Sequence, residues 1–461
     1  MMTITADNLK DNIVAISTPL GTGGVGVVRI SGDDAFSLIS KIFSTKLREK
    51  RLPEFEANRI YYGWIFDDNN PIDEVIVLIF KAPKSFTGEN IVEIQCHGGI
   101  NVVQNILKLC IKTGARLAEK GEFSKRAFLN GKMDLSKAEA VIDLIHSKTN
   151  KFAQISAHNL AGKLTTYINE LRHELINLLS QINAALDFPD EVNEPAYDYL
   201  EEKINFIIEK INNVLNTANS ANLMRNGIKV VIAGKPNVGK SSLFNAILNI
   251  NRAIVTDIPG TTRDIIQEFI DIKGIPITLT DTAGIRELKN NHSSDYIESI
   301  GINITKSYIK DADLALFVYD LTQGILEEDQ AIYEEIKNKP IIKLGSKSDL
   351  VDINLVENNV IPVSSKTQKG LDLVKAEIEK LILSNNISSD TEFSTNVRQQ
   401  ECLNNAKNSL FEALNSCTSQ EVQDFIAIDL KSALIHLGEI TGEVVSDEII
   451  NNIFSSFCIG K

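Results

Sequence analysis

The sequence predicts a multidomain chain: an α+β unit first, then a helical domain interrupted by an inserted α/β domain. Three observations carry this. Up to about residue 125, short β-branched runs alternate with glycine turns. From about Leu135 the apolar period changes to three and four residues, and it returns after a polar stretch at Ser384–Asp390. Between these helical segments lies an alternation of strands and helices, opening on a glycine-rich loop at Gly234.

The 461 residues suffice for about two to four domains with their own cores. With 43% hydrophobic and 23% charged residues the composition is that of a globular protein. A net charge of −14 argues against coating nucleic acid through bulk charge, although a local basic surface could still hold RNA. The cysteines Cys96, Cys110, Cys402, Cys417 and Cys458 show no C-x-x-C spacing, which fits a reducing compartment and no zinc cluster. Met1–Asp7 lacks a signal h-region or an Arg-rich transit pattern, and no apolar run reaches membrane-spanning length. A cytoplasmic protein without a membrane segment is expected.

In the first unit the expected strands are Ile13–Ile16, Val25–Ile30, Glu74–Phe80 and Ile91–Ile94, with helices near Asp34–Ile42 and Val102–Ile111. Leu160, Leu164, Ile168, Leu171, Leu175, Leu178, Ile182 and Ala185 then predict one long helix, ended by Phe188-Pro189 because proline lacks the N–H a helix needs. Ile204, Ile207, Ile208, Ile211 and Leu215 place a second stripe, as do Leu403, Ala406, Leu410 and Leu414, and Ile426, Leu430, Leu434 and Leu437. A bundle core accounts for these stripes without a ligand. Residues 226–384 alternate strand and helix, which argues a parallel sheet with strands at Ile228–Ala233, Ile277–Thr280, Asp313–Tyr319 and Pro340–Leu344.

Gly234-Lys235-Pro236-Asn237-Val238-Gly239-Lys240-Ser241-Ser242 fits G-x-x-x-x-G-K-[ST] between a strand and a helix, the context in which backbone N–H groups cradle a polyphosphate. Lys240 would reach the β/γ-phosphates and Ser241 would meet Mg²⁺. Later elements choose the base. Asp281-Thr282-Ala283-Gly284 matches D-x-x-G, with Asp281 near Mg²⁺ and the Gly284 N–H on the γ-phosphate. Thr261-Thr262 lies in the switch position, where Thr262 would bind Mg²⁺. Ser346-Lys347-Ser348-Asp349 stands where guanine is read by N-K-x-D, and Asp349 can accept from guanine N1–H and N2–H₂. Ser364-Ser365-Lys366 supplies the last base-side loop. Ser346 replaces the usual Asn, so guanine preference should survive while contacts to the base and the phosphate loop are lost.

Further motifs run in order along the whole chain: Ser17–Gly32, Ser85–Glu89, Glu93–Gly99, Gly121–Lys132, Phe188–Glu191 and the terminal Phe457-Cys458-Ile459-Gly460-Lys461. On these the chain resembles the MnmE (TrmE) tRNA-modification GTPases. The resemblance implies an N-terminal tetrahydrofolate-binding domain (residues 1–125) through which the protein dimerises. It implies a discontinuous helical domain (126–225 and 385–461) and an inserted Ras-like G domain (226–384). It also implies a flavoprotein partner, MnmG (GidA), in a heterotetramer of two of each. Together they would modify C5 of the wobble uridine of certain tRNAs, with a one-carbon unit from 5-formyltetrahydrofolate or a related derivative.

By motif position the folate pocket would use Arg29, Glu93, Lys132 and Lys461. Hydrolysis of GTP would be potassium-stimulated, with K⁺ held by Asn237, Thr256, Ile258 and Thr261 in a switch loop that includes Asp257, Pro259 and Gly260. The water-orienting glutamate falls at Glu298, with Glu287 as a second candidate, because the segment Lys289–Ser294 before it is long for the family. Each residue also has a plainer reading: a surface charge for Arg29 and Lys132, a structurally paired carboxylate for Glu93, a bracing amide for Asn237, an inert thiol for Cys458. A different functional class, a GTP-dependent binding switch in ribosome assembly, would share the nucleotide motifs but has no need of the N-terminal and C-terminal ones.

Overall fold

The computed structural model describes residues 11–47, 55–56, 58–250, 267–281, 308–352, 354, 356–383 and 392–461. They form two compact units, one within Met1–Ile142, Asn159–Ile208 and Glu401–Lys461, the other within Asp143–His158 and Glu209–Gln400.

The first unit is built on a seven-stranded sheet in the order β3-β4-β5-β6-β2-β1-β7. The strands are β1 Ile13–Ile16, β2 Gly23–Ser31, β3 Phe43–Ser44, β4 Ile60–Asp67, β5 Asn70–Phe80, β6 Ile91–Gly98 and β7 Arg116–Leu117. Neighbours are antiparallel except the β1–β7 pair. Helices α1 (Ala35–Ser40) and α2 (Ile100–Lys112) bury Leu38, Ile39, Val103 and Ile106 against the sheet, with Val28, Val77 and Ile94 beneath. The strand β4 escapes the sequence reading because Tyr61-Tyr62-Gly63-Trp64 lacks clean apolar alternation. Gly63 is required there, since a Cβ would come within 2.3 Å of the Ser44 carbonyl oxygen.

Helix α3 (Glu122–Leu129) carries Arg126, which is wholly buried. Its guanidinium donates to Asp11 Oδ1 (2.5 Å), to Glu122 Oε1 (3.0 Å) and to Glu89 (3.2 Å). Arg116 shares this network through Asp11 and Glu122, each at 2.7 Å. Burial alone would raise the Glu122 carboxyl, but Arg116, the Glu119 N–H and Arg126 hold it below its usual range. Asp11 is likewise held low by Arg116 and Arg126 against the effect of burial.

Helix α4 follows at Leu135–His146, and α5 at Asn150–Leu160 belongs to the second unit except for its last residues. The long helix α6 runs Lys163–Asp187 and buries the stripe from Leu164 to Ala185. Leu160 is not part of it, a correction to the expected single helix: Gly162, at φ +96°, breaks the chain between α5 and α6. The helix α7 spans Tyr197–Asn226. After the second unit come α11 (Val397–Thr418), α12 (Gln423–Thr441), which packs along α6, and α13 (Asp447–Ser455).

The second unit holds a six-stranded sheet, β13-β12-β11-β8-β10-β9, made of β8 Ile228–Ala233, β9 Gln267–Ile272, β10 Ile275–Asp281, β11 Leu314–Asp320, β12 Ile341–Ser346 and β13 Val360–Pro362. All pairs are parallel except β9–β10. The expected parallel sheet is therefore mixed. Lys273 (φ 53°) and Gly274 (φ 88°) make a two-residue hairpin turn, and only an antiparallel partner can follow so short a connection. Helices α8 (Lys240–Ile250) and α10 (Leu371–Leu383) cover one face through Leu243, Ile247, Val374 and Ile378. On the other, α9 (Glu327–Ile336) places Ile336 and Tyr333 against Phe317. Every residue of β11 is buried, which explains its continuous apolar run. Phe152 and Ile155 of α5 enter the core shared with β8 and α8, and the Thr149 hydroxyl donates to the Gly274 carbonyl at 2.9 Å.

Candidate functional site: a phosphate loop, a base-reading turn and a tail-capped sheet

The expected phosphate loop leaves β8 at Gly234, where a Cβ would lie 2.2 Å from the Val318 carbonyl oxygen, so the loop is pressed onto β11. Asn237 at φ 64° and Gly239 at φ 96° give the left-handed turns that aim successive N–H groups inward. Val238 is buried in the core, whereas Asn237 is exposed. Lys240 starts α8 and is 5% exposed, its ammonium donating to the Lys235 carbonyl at 2.7 Å. Ser241 is half-buried in the first turn and Ser242 is exposed.

The turn expected to read the base follows β12. Ser346 is buried, and its hydroxyl donates to the Tyr319 carbonyl at 3.0 Å, so its one donor is spent inside the sheet. Lys347, at φ 58°, donates to Asp320 Oδ2 at 2.6 Å. Burial would raise the Asp320 carboxyl, but Lys347 and Thr322 hold it below its usual range. Ser348 is anchored by its N–H on the Val363 carbonyl at 3.2 Å. Asp349 is exposed and accepts from the Ser364 hydroxyl at 2.7 Å, a bond that keeps its carboxyl low and ready to accept. Ser365 is half-buried and Lys366 exposed beside it. The structure thus joins Asp349 and Ser364, which sequence spacing placed in separate loops.

Asp281 ends β10, paired in register with Ile232 of β8. Thr256, Asp257, Ile258, Pro259, Gly260, Thr261, Thr262, Thr282, Ala283, Gly284, Glu287 and Glu298 lie outside the described residues.

In the first unit Arg29 and Glu93 face each other across β2 and β6, and Arg29 Nε donates to Glu93 Oε1 at 2.8 Å. The guanidinium stands 5.6 Å from the Phe86 ring centre and 5.7 Å from that of Phe123. The C-terminal tail closes this place. Ile459 bridges to Lys120, the Ser17 hydroxyl donates to the Gly460 carbonyl at 3.1 Å, and Arg29 reaches the same carbonyl at 3.5 Å. Gly460, at φ 97°, must be glycine, since a Cβ would lie 2.2 Å from the Ile16 carbonyl oxygen. Lys461 is half-buried one peptide further on, and Cys458 is exposed. Lys132 donates instead to the Pro83 carbonyl at 3.0 Å, on the loop that carries Phe86. Ser17, Phe86 and Phe123 were legible only as letters of longer motifs, without a role.

Residues 135–458 match the family described as the MnmE helical domain, and residues 12–132 match the GTP-binding protein TrmE N-terminus. The chain belongs to the MnmE family of tRNA modification GTPases. The tRNA modification GTPase MnmE of Carboxydothermus hydrogenoformans is 43% identical over 98% of this chain and 100% of that protein. The MnmE of Clostridioides difficile is 42% identical and that of Acetivibrio thermocellus 44%, each over 98% of this chain, covering 100% and 99% of those proteins. Membership of the MnmE family makes the chain a GTP hydrolase of tRNA modification. Among the described residues no helix is long and apolar enough to cross a membrane.

In an MnmE GTPase with Ser346→Asn, the longer amide can leave the Tyr319 carbonyl and bond toward nucleotide and loop. One recovered hydrogen bond is worth about 0.5–1.5 kcal/mol, so GTP should bind roughly two- to tenfold tighter in titration calorimetry. Unchanged affinity would show that Ser346 costs no contact.

Proposed function

We propose that this MnmE-family GTPase is potassium-stimulated and, with the flavoprotein MnmG in a complex of two of each, modifies C5 of the wobble uridine of certain tRNAs. The one-carbon unit comes from 5-formyltetrahydrofolate or a related derivative. The single observation that carries this reading beyond GTP hydrolysis is the tail-capped cluster of Arg29, Glu93, Phe86, Phe123 and Gly460. A pterin presents N–H donors suited to a carboxylate and a flat ring suited to aromatic neighbours, and its glutamyl tail suits Arg29, Lys132 and Lys461. A ribosome-assembly switch has no use for such a place. The division into residues 1–125, 126–225 with 385–461, and 226–384, with dimerisation through the first, belongs to this reading.

The residues present fit GTP with Mg²⁺. The buried Lys240 ammonium already sits on an oxygen acceptor, and Ser241 opens α8 with its hydroxyl at the helix N-terminus. Ser241 and Thr262 would hold Mg²⁺. Asn237 exposes its amide at the loop crest, where it would bind K⁺ together with Thr256, Ile258 and Thr261. When bound, K⁺ supplies positive charge against the charge developing on the phosphates. Glu298 would orient the attacking water.

Two measurements test the reading. The GTPase rate should be higher in KCl than in NaCl at equal ionic strength, and Asn237→Ala should level the two; equal rates in the wild-type protein would remove the potassium role. In calorimetry 5-formyltetrahydrofolate should bind the wild-type chain, and Arg29→Ala should weaken it by about 1.5–3 kcal/mol, the worth of a charged hydrogen bond. No heat of binding to the wild-type chain would overturn the folate assignment.

A further inference from the structure

The phosphate loop is anchored from beneath by side chains that its consensus does not specify. Lys235, a variable position of the motif, is 8% exposed. Its ammonium lies 3.3 Å from Asp329 Oδ2 and donates to Gln323 Oε1 at 3.4 Å. Asp329 is wholly enclosed, and the same Oδ2 accepts the Leu326 N–H at 3.0 Å, at the start of α9. Lys235 therefore does two things. Its carbonyl holds the Lys240 ammonium, and its side chain ties that carbonyl to a rigid helix start.

The connection from β11 to α9 carries a second enclosed carboxylate, Asp320, 2% exposed, which takes the Lys347 ammonium of the base-reading turn. A single segment, residues 320–329, thus grips one lysine from each nucleotide-binding loop. Burying a lysine and an aspartate costs solvation that apolar side chains of similar volume would not incur. What the ion pair adds is direction: a short, charge-assisted tether fixes where the loop's peptide plane points. Loss of that direction weakens the hold on the phosphates in ground state and transition state alike, which raises KM and leaves kcat.

We infer that Lys235 and Asp329 are positioning residues for GTP, holding the phosphate loop in its binding shape from the side opposite the nucleotide. The inference rests on the assignment of Gly234–Ser241 as the GTP phosphate loop.

The test uses the full chain with Lys235→Met, Asp329→Leu, the double variant and Lys235→Arg, reading kcat and KM for GTP beside urea unfolding. Each single apolar variant leaves one charge buried and should lose stability. The double variant removes both charges and should regain the wild-type unfolding midpoint, yet keep a KM raised about tenfold or more with kcat nearly unchanged, because the tether is absent. Lys235→Arg, which keeps the charge and the donors, should restore KM. A double variant whose KM returns to wild type together with its stability would overturn the inference, since the pair would then be packing alone. So would an arginine variant that keeps the raised KM. Lys240→Ala serves as the control for the underlying assignment. If it leaves GTP turnover intact, the phosphate-loop reading itself fails. If it abolishes turnover while the double variant is normal, only the tether fails.

Discussion

Lys240→Ala is expected to lower kcat/KM for GTP by roughly 10²–10³-fold, about 2.7–4 kcal/mol of lost transition-state stabilisation. The Lys240 side chain is 5% exposed, and its ammonium donates to the Lys235 carbonyl at 2.7 Å. A buried cation so preorganised needs little rearrangement to meet the β/γ-phosphates. Alanine leaves the loop's N–H groups and the α8 N-terminus, so weak nucleotide binding should persist while turnover collapses. Single-turnover hydrolysis separates the two. A variant that keeps wild-type turnover would place the phosphate site elsewhere.

Arg126→Leu should destabilise the first unit by about 3–5 kcal/mol, because it strips the partner from carboxylates gathered around a wholly buried guanidinium. The chain has one tryptophan, Trp64, and it lies in β4 of that unit. Its fluorescence therefore reports the unit's unfolding without contribution from the α/β unit. The network also sets a pH dependence. Asp11 and Glu122 are held below their unfolded values, so their contribution is full above the unfolded carboxylate range and is lost as pH falls through the lowered folded values. The wild-type urea midpoint at Trp64 should fall on acidification, and Arg126→Leu should flatten that fall. An Arg126→Leu midpoint equal to wild type at neutral pH would show that the network contributes nothing net.

The parts legible in the sequence are those whose physics is local. The span from β8 through the phosphate loop to α8 is contiguous, and each residue's role follows from its neighbours. The stripe Leu164–Ala185 declares α6 because one helix face repeats along it. The parts that stayed hidden depend on pairing at a distance. The edge strand β9 is defined by its hairpin with β10. Glu89 and Arg126 entered as letters of two separate motifs, and only the fold shows that they meet in one buried network. Lys235 looked like a free choice within the loop motif because Asp329, which gives it a purpose, sits on another element. The tail is the opposite case. Lys461 enters the pocket only by resemblance, and what the fold adds is the neighbouring Gly460, left-handed and pressed against Ile16.

On the proposed function, GTP turnover by this chain is needed for modification of the tRNA wobble uridine. Nucleoside analysis of bulk tRNA tests it most directly, in cells whose only copy of the chain carries Lys240→Ala. The C5-modified wobble uridine should be lost, and the wild-type copy should restore it. A modified-uridine content equal to wild type, with the variant chain present at normal levels, would contradict it.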